Sequence, residues 1–91
     1  MDEVRAVHAR VTGRVQGVWY RASAVEKARE LGVCGWVRNM PDGSVELYAE
    51  GDTRAVADLI VWCHRGPALA VVDGVETRNA EIEGHKNFGI R

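Results

Sequence analysis

Cysteine is scarce in this sequence, with only Cys34 and Cys63 among 91 residues. The two form no CxxC pair and do not cluster with any of the three histidines at a metal-ligand spacing. Neither a disulfide-rich scaffold nor a zinc site is therefore indicated. We interpret both as small apolar core residues with reduced thiols, and Cys63 falls on the apolar stripe of a predicted helix.

Long apolar runs and an excess of one charge are also missing. No apolar run approaches the roughly 20 residues that a membrane-spanning helix needs. The formal net charge is −1, so any attraction for an anion has to be local. The first residues, MDEVRAVHAR, lack the charged-then-apolar pattern of a secretion signal. We expect a cytoplasmic protein with neither membrane nor nucleic acid as a partner, and a monomer because no large apolar outer face is predicted.

The pattern of apolar residues predicts six main elements in a chain that has the length of one domain. VHARVTGRV alternates with period two, as a half-buried strand does, and a helix follows from about Ala22 to Leu31, ended by Gly32. VCGWVRN and SVELYAEG form a hairpin about the MPDG turn. A second helix, capped by Asp52 or Thr53, is followed by two β-like runs, AVVDGVETR and NFGIR.

This order of elements, strand–helix–strand–strand–helix–strand with a short extra strand last, predicts an α+β ferredoxin-like sandwich. Two helices cover one face of an antiparallel sheet, and right-handed crossovers place the first and third strands in its centre. The fold hosts many functions and decides none of them. It does place residues 13–20 at the end of a central strand, where binding loops are common.

The segment GRVQGVWYR, Gly13 to Arg21, is the first candidate functional site. Its two glycines permit a bent loop whose successive N–H groups turn towards an oxyanion. Arg21, at the start of a helix, can add a bidentate guanidinium where the helix N-terminus also favours an anion. The loop lacks the Gly-Lys-Ser/Thr ending of a Walker P-loop. Taken alone, it is equally well explained as a tight turn with a solvated arginine.

A second segment, GWVRNMPDGSVE from Gly35 to Glu46, gives a more specific signal. Together with GRVQGVWYRA it resembles the acylphosphatase family, which carries G-R-V-Q-G-V-x-[FY]-R after its first strand and G-W-V-x-N-x-x-D-G-x-V-E in its second and third strands. The pairs EG at 50–51 and GP at 66–67 and the terminal F-x-I-R extend the resemblance over nearly the whole chain. Trp19 is the main departure, since Phe is more usual there.

The resemblance implies a single acylphosphatase-like domain, residues 1–91, that hydrolyses the carboxyl–phosphate bond of acyl phosphates to carboxylate and inorganic phosphate. It implies Arg21 as the clamp on the phosphate and Asn39 as the residue that positions the attacking water. No metal, cofactor or covalent intermediate is expected, and inorganic phosphate is expected as product and inhibitor. The backbone amides implied in binding the phosphate are those of Gln16, Gly17, Val18, Trp19 and Tyr20.

The residue types suit this chemistry. A carboxylate leaving group, with a pKa of about 4, departs without a general acid. Phosphoryl transfer needs mainly charge stabilisation and alignment. An arginine, a set of N–H donors and one amide that holds a water can supply both.

Two alternatives stay open from the sequence. Asn before a Pro-Asp-Gly turn is usually a turn residue, which would remove Asn39 from the chemistry. A non-enzymatic anion-binding or regulatory module on the same fold would also explain the motifs. An RNA-binding sheet is disfavoured, because the third strand offers Tyr48 between Glu46 and Glu50 rather than exposed aromatic rings on a basic surface. Trp36 is interpreted as a packing residue.

Overall fold

The computed structural model describes residues 3–91, which form two helices and a five-stranded sheet. In chain order the elements are β1 Val4–Arg14, α1 Tyr20–Leu31, β2 Cys34–Asn39, β3 Val45–Asp52, α2 Thr53–Cys63, β4 Val71–Ala80 and β5 Phe88–Ile90.

The strands lie in the order β4-β1-β3-β2-β5. β1 pairs antiparallel with β3 and β4, and β2 pairs antiparallel with β3. The ferredoxin-like prediction, with the first and third strands in the centre, is confirmed. The last strand differs, because β5 runs parallel to β2. The chain reverses its direction between β4 and β5. Because β4 and β2 run in opposite directions, β5 is parallel to β2, and the sheet is mixed rather than antiparallel throughout.

The inward positions of the strands and both helices meet in one core, as the alternation predicts. Cys63 is fully buried within it, and burial raises the pKa of its thiol to about 12. Both cysteines are free thiols, but Cys34 is only partly buried, so the interpretation as a core residue holds for Cys63 and is wrong for Cys34. The core residues that have no exposed surface include Val11, Val37, Val45, Leu47, Ala24, Ala28, Val56 and Leu59.

The helix ends follow local signals in the sequence. Gly32 stops α1 in the left-handed conformation (φ 75°), and its N–H bonds with the carbonyls of Ala28 and Arg29. Asp52 caps α2, with its carboxylate accepting from the N–H groups of Arg54 and Ala55. α1 begins at Tyr20, two residues before the predicted start, so both Tyr20 and Arg21 lie in its first turn.

The face of the sheet away from the helices is covered in part by residues 81–87, which we term the strap. The Tyr48 hydroxyl lies between two acceptors, 2.5 Å from the Glu50 carboxylate and 2.6 Å from the Glu81 carbonyl oxygen. The carboxylate of Glu50 also accepts from the N–H groups of Glu83, Gly84 and His85 at 2.8–3.2 Å. Glu50 is only 6% exposed as a result. The alternation placed Tyr48 and Glu50 on this face correctly, but it could not indicate that the strap buries them.

Trp36 packs on the same face and is 7% exposed, which confirms its interpretation as a packing residue. Its ring stacks near Tyr48, with 6.2 Å between centroids. The guanidinium groups of Arg38 and Arg91 lie 5.1 and 4.8 Å from the Trp36 centroid. The C-terminal residue is thereby held against β2.

Glu50→Gln is expected to lower the free energy of unfolding at pH 7 by about 2–3 kcal/mol, because charge-assisted hydrogen bonds are lost and an NH₂ group faces N–H donors. Burial tends to raise the pKa of Glu50, but bonds from Tyr48 and the strap outweigh it and leave this pKa below its usual value. The carboxylate therefore stabilises the fold above about pH 4.5, and this contribution is lost as the pH falls through the folded-state pKa.

Urea unfolding at pH 7 and pH 3 measures this effect. The difference between wild type and Glu50→Gln should shrink at the lower pH. Glu81→Gln, in an exposed glutamate of the same strap, is the matched control and is expected to be neutral. Equal stability of wild type and Glu50→Gln at pH 7 would show that the carboxylate does not hold the strap.

Candidate active site

The β1–α1 loop, residues 15–19, follows a central strand and depends on two glycines with positive φ. At Gly13 (φ 121°) a Cβ would lie 2.2 Å from the carbonyl oxygen of Val71, so only glycine lets β1 pass β4 so closely. At Gly17 (φ 74°) there is open space, and the backbone conformation alone favours glycine. The bend predicted from the two glycines is confirmed.

The N–H groups of this loop are available to a ligand. Within residues 3–91, none of the N–H groups of residues 16–20 donates to a backbone carbonyl. The first turn of α1 contains no acidic residue that would compete for these donors. The positive end of the helix dipole lies at the same point.

Trp19 precedes the helix in a left-handed conformation, with φ 68° and ψ 19°. Among the described residues it is the only non-glycine residue with positive φ. Such a conformation costs of order 1–3 kcal/mol and is concentrated at functional sites. The side chain is 76% exposed and forms no cap. The left-handed conformation of Trp19 therefore produces the sharp turn into α1, and the exposed side chain does not contribute to the core.

Arg21, Asn39 and part of the β1–α1 loop line one concavity of about 410 Å³, whereas the predicted site residues Gln16 and Val18 are not among its lining residues. Arg21 is half-buried, and none of the ion pairs within residues 3–91 includes it. Arg21 therefore lines the concavity without a protein carboxylate among the described residues to neutralise its charge. The other lining residues are Val15, Gly17, Trp19, Tyr20, Ala22 and Ile90.

Asn39 is the last residue of β2 and pairs with Val45 of β3. Its side-chain Oδ1 is buried and has no hydrogen-bond partner among the described residues. A turn residue would use this oxygen on nearby backbone. Here the turn is held by Asp42 instead, which accepts from the N–H and the hydroxyl of Ser44 at 2.9 and 2.6 Å. The Asn39 amide is thus left unused by the turn.

Asp42 is held ionised by its neighbours. Hydrogen bonds from Ser44, together with the guanidinium of Arg10, keep the pKa of Asp42 well below its usual value. The turn that follows Asn39, residues 40–44, therefore carries an exposed ion pair between Asp42 and Arg10, and neither residue lines the concavity.

The side chain of Gln16 fixes the same turn from the side of the loop. Its Nε2 donates to the carbonyls of Met40 and Ser44 at 2.8 and 2.9 Å. The sequence assigned Gln16 only a backbone amide, so this side-chain contact was missed. No local pattern could reveal it, because the partners lie 24 and 28 residues away.

Tyr20 anchors the end of the loop to α2. Its hydroxyl donates to the carbonyl of Cys63 at 2.8 Å, and its ring lies 5.3 Å from that of Trp62. Burial raises the pKa of this phenol well above its usual value, so it stays neutral. Tyr20 therefore lines the concavity, while its neutral hydroxyl is bonded to α2.

Other features of the described chain bear on ligands. A larger concavity of about 620 Å³ lies between α1 and residues 62–70 and contains none of the predicted site residues. Across residues 3–91, no three His, Cys, Asp or Glu side chains are grouped as metal ligands would be. Neither helix there has the length and apolar character needed to cross a membrane.

Known proteins place this chain in one family. The profile of the acylphosphatase family matches residues 7–90. An acylphosphatase of Methylococcus capsulatus is 59% identical over 81 residues, which cover 89% of this chain and 88% of that one. One of Thermococcus kodakarensis is 53% identical over 90 residues, which cover 99% and 98%. The structure of an acylphosphatase from Coxiella burnetii matches with a TM-score of 0.93 at 38% identity, over 97% of this chain and 93% of that one. The resemblance carried by the two motifs is confirmed, and the chain belongs to the acylphosphatase family, enzymes that hydrolyse acyl phosphates.

Proposed function

We propose that this protein hydrolyses acyl phosphates by direct attack of water on phosphorus. Arg21 and the loop amides hold the phosphate, and Asn39 positions the water. The observation that supports the proposal is that Arg21, Asn39 and three residues of the proposed amide set line a single concavity. Those three residues are Gly17, Trp19 and Tyr20.

The phosphate is held by charge and by directed donors. The N–H groups of residues 16–20 surround an oxyanion at the positive end of α1. The Arg21 guanidinium adds two parallel donors to two phosphate oxygens. Since no carboxylate pairs with Arg21 within residues 3–91, the full positive charge acts on the ligand. These groups also stabilise the negative charge on the three equatorial oxygens during transfer.

Asn39 holds the attacking water. The terminal torsion of an Asn side chain is broad and roughly two-fold, so a turn of the amide brings its unpartnered Oδ1 to the open side of the concavity. There it accepts a hydrogen bond from the water and aims a lone pair of the water at phosphorus. Asn39 thereby contributes to the rate by aligning the water and not by acting as a base, because a neutral amide is too weak a base to take the proton.

The bond changes balance without a protein acid or base. The water oxygen bonds to phosphorus as the bond from phosphorus to the acyl oxygen breaks. The carboxylate departs with the electron pair, and its pKa of about 4 makes protonation unnecessary. A proton of the water passes to a phosphate oxygen, which gives inorganic phosphate. No residue of the chain becomes covalently modified.

The proposal extends to the state of the protein. We propose a monomer of one acylphosphatase-like domain, residues 1–91, in the cytoplasm, without a nucleic acid or membrane partner. The two free thiols suit a reducing compartment. Trp36 and Tyr48 are 7% and 0% exposed and offer no platform for a stacked base. The exposed large apolar side chains are spread over several elements: Val4, Trp19, Val61, Leu69, Val71, Ile82 and Ile90.

Hydrolysis of benzoyl phosphate is expected to proceed at the same rate in excess EDTA as without it, because Arg21 and the loop amides supply the charge that a metal would supply. The measurement is the loss of benzoyl phosphate against a protein-free control. A rate at background, with phosphate still bound, would identify an anion-binding module instead. Turnover that EDTA abolishes and magnesium restores would show that the charge stabilisation is wrongly assigned.

A further inference from the structure

Gln16 connects two parts of the site through its side chain. Both hydrogens of its NH₂ group are used, one on the carbonyl of Met40 and one on that of Ser44. Those residues also bond with each other, since Met40 N–H donates to the Ser44 carbonyl at 2.8 Å. Gly43 N–H donates to the Met40 carbonyl at 3.1 Å. Gln16 therefore closes a hydrogen-bonded turn that begins immediately after Asn39.

The sheet does not supply this connection. The pairing of β1 with β3 ends at Val11 and Val45, and β1 pairs only with β4 beyond that point. The pairing of β2 with β3 ends at Asn39 and the same Val45. The loop and the turn thus diverge where the concavity opens. Gln16 bridges the loop and the turn through its side chain, and Arg10 reaches the turn through Asp42 at the exposed surface.

We propose that the Gln16 side chain is a positioning residue, which sets the distance between the phosphate held by the loop and the water held by Asn39. The inference rests on the proposed function. The Ser44 carbonyl that Gln16 binds also accepts the N–H of the Asn39–Met40 peptide. Gln16 thereby holds the peptide that follows Asn39, while the backbone of Gln16 belongs to the proposed phosphate-binding loop. A misplacement of about 1 Å between reacting groups can cost about 10²-fold in rate.

Gln16→Met tests the inference, because it preserves the length of the side chain and removes both donors. We expect kcat for benzoyl phosphate to fall about 10- to 100-fold, and the inhibition constant for inorganic phosphate to change less than about threefold, since the loop amides remain. Gln16→Ala is the second variant, with the same expected pattern. The matched control is Arg10→Met, which removes an exposed ion pair from the same turn and is expected to change kcat less than about twofold.

A double-mutant cycle with Asn39→Ala separates positioning from general loosening of the fold. If Gln16 acts through Asn39, Gln16→Met costs less than about threefold in kcat once Asn39 is alanine. Equal losses in both backgrounds, a phosphate inhibition constant that rises in step with the loss of kcat, or an unchanged kcat would each overturn the inference. If the wild type is active, any of these results overturns only the role of Gln16 and leaves the proposed function standing. An inactive wild type overturns both the role of Gln16 and the proposed function.

Discussion

Arg21→Ala is expected to lower kcat for acyl phosphate hydrolysis by at least about 10²–10³-fold and to raise the inhibition constant for phosphate. The guanidinium is half-buried in the wall of the concavity, and no carboxylate within residues 3–91 pairs with it. Removing it takes away the main positive charge on the ligand in both the bound state and the transition state. Steady-state kinetics and phosphate inhibition measure the two effects.

Arg21→Lys is expected to recover little of this activity, because an ammonium group cannot present two parallel donors. Arg14→Ala is the matched control, since Arg14 is an exposed arginine of the same motif that does not line the concavity. A lysine variant with wild-type kcat would show that bidentate geometry is irrelevant. Equal losses in Arg14→Ala and Arg21→Ala would show that overall charge, not the clamp, sets the rate.

Asn39→Ala is expected to lower kcat about 10²–10³-fold while the phosphate inhibition constant stays nearly unchanged. In the proposed mechanism, Arg21 and the loop bind phosphate in the ground state and in the transition state, whereas Asn39 acts on the water alone. The melting temperature is expected to be unchanged or raised, because the substitution removes a buried oxygen that has no partner. This combination separates a role in water positioning from a role in the turn.

The turn-residue interpretation of Asn39 makes the opposite prediction, with lower stability and an unchanged kcat. Asn79→Ala, in an exposed asparagine of β4, controls for the general effect of losing an amide. A folded Asn39→Ala variant with wild-type kcat would remove Asn39 from the mechanism.

The sequence predicts most of the fold because the decisive signals are local. Period-two alternation marks β1 and β3, and Gly32 and Asp52 mark helix ends through their own backbone and side-chain bonds. The parallel direction of β5 was not predicted, since it depends on the path of the strap. The burial of Glu50 was missed for the same reason, because its partners lie 33 to 35 residues away.

The sequence likewise predicts some features of the candidate site and misses others. The two motifs indicate Arg21, Asn39 and the loop amides, and Arg21, Asn39, Gly17, Trp19 and Tyr20 line one concavity in the structure. The left-handed conformation of Trp19 was not predicted, because a bulky residue with positive φ is disfavoured by its own sterics and persists only where surrounding contacts impose it. The Gln16 side chain was missed because its acceptors are carbonyls, which every residue carries and which no sequence pattern distinguishes.

In the proposed mechanism, water attacks phosphorus and Asn39 positions that water. The most direct measurement is hydrolysis of benzoyl phosphate by the wild-type protein in oxygen-18 water, followed by the isotope shift of inorganic phosphate in ³¹P NMR and by mass spectrometry of benzoate. Attack at phosphorus predicts one labelled oxygen in each phosphate and none in benzoate. Label in benzoate, with unlabelled phosphate, would mean that water attacks the carbonyl carbon and would contradict the account.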